Sequence, residues 1–110
     1  MAETFLYLTT TGRKTGNPHN IEIWYVEHEE CYYLCAEHRA KSDWVQNIIV
    51  NDSVSFYIAE REQDVPVREG KAMIVGDEAL LNLLRQKFDA KYNWSKGLFV
   101  GICEHEITNP

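Results

Sequence analysis

Two adjacent cations, Arg13 and Lys14, stand between Gly12 and Gly16 in the run TTTGRKTGNP, beside the hydroxyl groups of Thr9, Thr10, Thr11 and Thr15. A glycine-flanked turn exposes backbone N–H groups, and Arg, Lys and hydroxyl donors next to them suit a phosphate or a carboxylate. The run is not a P-loop. Arg13 rather than Gly precedes Lys14-Thr15, Leu8 occupies the earlier glycine position, and a strand follows where a P-loop requires a helix. On composition alone, a solvated hairpin with incidental charges accounts for the stretch equally well.

A second basic stretch, Arg39, Lys41, Ser42 and Asp43, leads into a helix, whose N-terminus favours anions. A capped surface helix with a charged lead-in is the competing reading. The spacing His28-x2-Cys31-x3-Cys35-x2-His38 imitates a zinc site, but strand geometry excludes it. Cys31 and Cys35 would lie roughly 13 Å apart along one strand face. Two thiolates on one zinc can be no more than about 4.6 Å apart. Buried structural cysteines are expected and no metal. No Ser-His-Asp set and no H-E-x-x-H occurs, so an enzyme of this sequence would rely on a bound cofactor.

The elements that must hold these residues are mostly strands. Residues 4–10, 19–27 and 31–37 are rich in aromatic and β-branched side chains and are separated by turn residues, which suggests an antiparallel meander. The second and third carry large apolar residues on both faces, as in a sheet covered on both sides. Residues 42–51 read as a helix, with Ser42 as cap and Trp44, Val45, Ile48 and Ile49 as a buried stripe. Strands follow at 53–59 and 65–75, the latter with Gly70 as a candidate bulge. A second helix has Asp77 as cap and Leu80, Leu81, Leu84 and Phe88 as its apolar face, and a last strand covers 98–107. The order β-β-β-α-β-β-α-β fits a mainly β, α+β fold: a small closed or split barrel of about six antiparallel strands.

At 110 residues the chain is read as one domain, 1–110, without repeats or linkers. With 11 cations against 17 anions the formal charge is −6, which argues against non-specific nucleic-acid binding. No apolar run approaches a signal-peptide core or a membrane span. Three cysteines, an odd number, point to reduced thiols in a cytoplasmic protein.

The run LTTTGRKTGNP, the strands IEIWYV and YYLCA, and KSDWVQNI before SVSFYI resemble the deazaflavin (F420)-dependent nitroreductase family. That family belongs to the flavin and deazaflavin oxidoreductases on the split β-barrel of the pyridoxamine 5'-phosphate oxidases, an FMN-binding-like fold. The resemblance spans about residues 6–58. It implies a homodimer with F420 or FMN at the interface, and hydride transfer to a nitro compound, quinone or enone. Carried over residue by residue, it implies that Arg13, Lys14, Thr15 and Gly16 hold the cofactor's phosphate and acidic tail. It places Trp24 near the ring system, and Ala36 and Lys41-Ser42-Asp43-Trp44 on the cofactor's other side. His19, where family members commonly have Arg, completes the candidate set; catalytic residues are not assigned. Glu22 stands where the family commonly has Pro, and Glu37 where a small hydroxyl residue is frequent. The family's N-terminal helix is not expected, because the first strand begins at residue 4. A flavin-binding carrier or sensor without turnover, and a cofactor-free interaction barrel, are the alternative functions.

Overall fold

The computed structural model describes residues 3–104. Strands β1 (Phe5–Thr11), β2 (Pro18–Ile23), β3 (Tyr25–His28) and β4 (Cys31–Ala36) precede a 3-10 turn at Arg39–Lys41 and helix α1 (Asp43–Val50). Then come β5 (Ser53–Ala59), β6 (Arg68–Ile74), helix α2 (Glu78–Tyr92) and β7 (Leu98–Glu104). The strands form one antiparallel sheet in the order β2-β1-β5-β6-β7-β4-β3. Its two edge strands, β2 and β3, are joined through the single residue Trp24, so the sheet returns on itself there as a split barrel.

Trp24 is also where the expected second strand breaks in two, giving seven strands rather than about six. Its first part pairs with β1 and its second with β4. The backbone of Tyr25 finds its partners in α2 instead of a neighbouring strand. The Tyr92 hydroxyl accepts from the Tyr25 N–H at 3.1 Å and donates to its carbonyl at 2.9 Å. Buried backbone groups need such partners, and a side chain that supplies both lets the strand change sides.

Alternation along β4 and β7 builds two cores. Leu34, Ala36, Val100 and Ile102 point into the barrel, where Trp44, Val45 and Ile48 of α1 close one side. Tyr33, Cys35 and Phe99 point outward and are covered by Leu84 and Phe88 of α2. Apolar side chains on both faces of the third expected strand therefore have a physical reason. Asp77 caps α2 as expected, its carboxylate accepting from the Leu80 N–H at 2.8 Å.

Four local expectations change. Ser42 occupies the N-cap position of α1, but its side chain makes no capping bond. Strand β6 starts at Arg68 rather than at 65. Gly70 is not a bulge: it pairs in register with Val54 and Glu104, and a Cβ there would lie 2.6 Å from the Cys103 carbonyl oxygen. The cysteines are not all reduced: Cys31 and Cys103 form a disulfide, directly opposite each other in the β4–β7 register with Cα atoms 4.5 Å apart. Spacing along one strand could not reveal that pair, since 72 residues separate its members. Cys35 is free and buried, as expected. Residues 105–107 of the expected last strand lie outside the described residues.

Candidate active site

The turn between β1 and β2 is closed by its own backbone. The Gly16 N–H donates to the Gly12 carbonyl and the Gly12 N–H to the Asn17 carbonyl, both at 2.8 Å. Gly16 has a φ of 74°, in the left-handed region that favours glycine. The Asn17 N–H donates to Thr15 Oγ1 at 3.1 Å, and the Arg13 N–H to Asn47 Oδ1 at 3.1 Å. Among the described residues, this leaves the N–H groups of Lys14 and Thr15 without a protein partner.

Arg13 folds back onto α1. Its Nη1 donates to Asn47 Oδ1 at 2.9 Å and to the Asp43 carbonyl at 3.3 Å, and its Nη2 to the Asp43 carboxylate at 3.2 Å. Asn47 is buried and completes its own set by donating to Thr10 Oγ1 at 3.1 Å. Asp43 and Asn47 of the stretch KSDWVQNI thus position the basic turn: they lie one helical turn apart on the side facing Arg13, while Trp44 turns into the core. Lys14 and Lys41 are exposed and make no ion pair among the described residues.

A cleft of about 660 Å³ opens beside this helix start, with Trp24, Ala36, Ser42 and Trp44 on its walls. That size is ordinary for a site holding a cofactor-sized molecule. Trp94 and Phe5 add aromatic surface, and Trp24 stacks on Tyr92 with centroids 4.4 Å apart. Of the other candidates, Arg13 and Asp43 meet each other at the first turn of α1, next to Ser42. Lys41 immediately precedes Ser42. Lys14, Thr15, Gly16 and His19 do not line the cleft; His19 faces Thr10 across the β1–β2 ladder.

Two carboxylates reach the cleft, Glu22 and Glu37. Glu22 is held by a fork from Arg61, with Nη2 at 2.9 Å and Nε at 3.2 Å from Oε1. The Arg61 guanidinium, and after it the Tyr7 hydroxyl, keep the Glu22 carboxyl below its ordinary value. Cys35 also lines the cleft, but burial pushes its thiol up to about 11, so it is a neutral thiol at physiological pH. Tyr25 is turned away from the cleft, its hydroxyl bonded to Thr4 Oγ1 at 2.9 Å. The cleft thus presents apolar planar surface and hydrogen-bonding groups, and its one thiol is not an activated nucleophile.

Sequence reading missed Arg61, Phe88 and Trp94. Phe88 is legible only as part of a helical apolar face, Trp94 follows the end of that helix, and Arg61 sits in a loop with no pattern around it. All three reach the site through packing between elements distant in sequence.

Comparison with known proteins places the chain. The sequence profile of the F420H(2)-dependent quinone reductase family matches residues 1–93. No curated protein sequence matches. Among solved structures, an F420 reductase aligns over 93% of this chain and 86% of its own, at 12% identity and a TM-score of 0.65. A Listeria innocua protein provisionally assigned as a pyridoxamine 5'-phosphate oxidase aligns over 93% and 84%, at 14% identity and a TM-score of 0.71. A 5-nitroimidazole resistance protein assigned in Bacteroides thetaiotaomicron aligns over 96% and 75%, at 11% identity and a TM-score of 0.72. At these identities the likeness is one of fold, the split barrel that the sheet topology already describes. The match of the family profile over most of the chain carries more: the protein belongs to the F420H(2)-dependent quinone reductase family, and with it to the oxidoreductases that use F420.

Proposed function

We propose that the cleft holds the ring system of F420 and that the protein transfers a hydride from the reduced cofactor to a small activated acceptor, a quinone before a nitro compound or an enone. The observation that carries this reading is the aromatic cleft opening beside the first turn of α1, where Ser42 meets it and Lys41 precedes it. Trp24, Trp44 and Trp94 suit a planar tricycle, and the small Ala36 leaves width for it. Lys14 and Lys41 lie free of ion pairs among the described residues and suit the acidic tail. Arg61 neutralises Glu22, which removes one of the two carboxylates that would repel such a tail.

Bound reduced F420 supplies the two electrons as a hydride, and the acceptor's proton comes from solvent. The chain's own contribution is position and a partly water-excluded aromatic surface, with Cys35 too weakly acidic to act. A homodimer fits the exposed apolar side chains Ile49 and Val50 of α1 and Met73 and Ile74 of β6, which a second copy would cover. Light scattering on the purified protein tests the dimer.

The test of function is direct. The protein is mixed with reduced F420 and a soluble benzoquinone, and the return of oxidised-cofactor absorbance is followed. Turnover with the quinone supports the reading. Binding without turnover favours a carrier, and no binding of F420 overturns the assignment of the cleft.

A further inference from the structure

We propose that Arg13 is a positioning residue rather than a ligand contact: its guanidinium locks the basic turn onto α1 and so presents the neighbouring Lys14. The inference rests on the F420 reading above. It departs from the simpler view in which both cations of the turn grip the ligand.

Arg13 donates from its backbone N–H and from Nη1 to a single oxygen, Asn47 Oδ1, at 3.1 and 2.9 Å. Nη1 and Nη2 also reach the carbonyl and the carboxylate of Asp43, at 3.3 and 3.2 Å. Its charge therefore already faces a carboxylate, and its fork is matched to acceptors on two successive turns of α1. Asn47 is 2% exposed, so its orientation is set by the core and by its bond to Thr10. A buried amide with each of its groups engaged gives a rigid anchor. The neighbouring Lys14 is exposed, has no protein partner for its N–H, and makes no ion pair among the described residues. The turn thus separates two roles in adjacent residues, one cation facing inward to hold the loop and one facing outward.

Arg13→Lys, Arg13→Ala, Lys14→Ala and the Arg13→Ala/Lys14→Ala double variant distinguish these roles. F420 binding is measured by titration over a range of salt concentrations. Lysine keeps the charge but cannot span the acceptors, so Arg13→Lys and Arg13→Ala both lose about tenfold in affinity, and both flatten the salt dependence because the released turn no longer presents Lys14. Lys14→Ala weakens binding and flattens the salt dependence, because an exposed ionic contact is the part that salt screens. In the double variant the loss of Lys14 adds little, since a released turn no longer presents it. Wild-type affinity in Arg13→Lys, or losses from Arg13→Ala and Lys14→Ala that add in the double variant, overturns the proposal.

Amide hydrogen exchange of residues 12–17 in the cofactor-free protein separates this inference from the F420 reading. Faster exchange in both Arg13 variants supports the lock, even where wild-type protein binds no F420 and the cofactor assignment falls. Unchanged protection in both variants overturns the lock, whatever the titrations give.

Discussion

The hydroxyl of Tyr92, in the last turn of α2, takes both backbone hydrogen-bonding groups of Tyr25, donating at 2.9 Å and accepting at 3.1 Å. The two residues are 67 apart in sequence, and their contact fixes the point at which the chain crosses from one edge of the sheet to the other. The same ring stacks on Trp24, so the strand break and one wall of the cleft share a support.

Replacing Tyr92 with Phe keeps the ring and removes both hydrogen bonds. The partly buried Tyr25 N–H loses its partner, which costs about 1–3 kcal/mol. Urea unfolding followed by far-ultraviolet circular dichroism reads the loss. A midpoint equal to that of the wild type would mean that water replaces the hydroxyl at no cost.

Acid weakens the protein through its forked ion pairs. Arg61 holds the Glu22 carboxyl below its ordinary value near 4.5, and Arg68 does the same for Glu104. A depressed folded value means that the stabilisation is present above the unfolded value and is lost as pH falls through the folded one. Glu22→Gln therefore melts lower than wild type at pH 7, and the gap narrows to nothing as the pH falls well below 4.5. A gap that is constant with pH excludes this origin.

The Cys31–Cys103 disulfide closes a long loop of chain, with 72 residues of separation. Chain entropy gives such a link roughly 4 kcal/mol at most, with measured effects commonly smaller. Neither cysteine lines the cleft. Cys103→Ser is expected to lower the melting temperature by several degrees and leave F420 affinity within about twofold of wild type. A large loss of affinity in a folded variant would show that the link also shapes the site.

Cys35, with its thiol pushed up to about 11 by burial, resists alkylation. At pH 8 iodoacetamide labels it far more slowly than a free thiol. Its folded value is raised, so its contribution to stability is complete below the unfolded value and fades as pH rises through the folded one. Rapid labelling of native protein, read by mass spectrometry, would contradict its burial.

Glu37 is exposed on the cleft and makes no ion pair among the described residues. Glu37→Ser removes a charge of the same sign as the cofactor's tail, and F420 affinity rises severalfold at low salt. The gain shrinks as salt is added, because the repulsion is screened. Weaker binding in this variant would show that the carboxylate accepts a hydrogen bond from the ligand.

Local chemistry in the chain was enough to find the strands, apart from the break at Trp24, and both helices and the Asp77 cap, because alternation, helical periodicity and capping act over a few residues. It also marked TTTGRKTGNP as a turn, without deciding between an anion site and a solvated hairpin. The tertiary structure decided what these pieces do to one another. Asn47 reads as an ordinary polar residue in a helix until Arg13, 34 positions earlier, arrives at its amide. Cys31 reads as a lone thiol until β7 brings Cys103 opposite it. Arg61 and Trp94 carry no local signal, and join the cleft only because the sheet returns on itself at Trp24 and α2 packs over its outer face. Periodicity records which face of an element is buried; which distant residue covers that face is settled by the packing of the whole barrel.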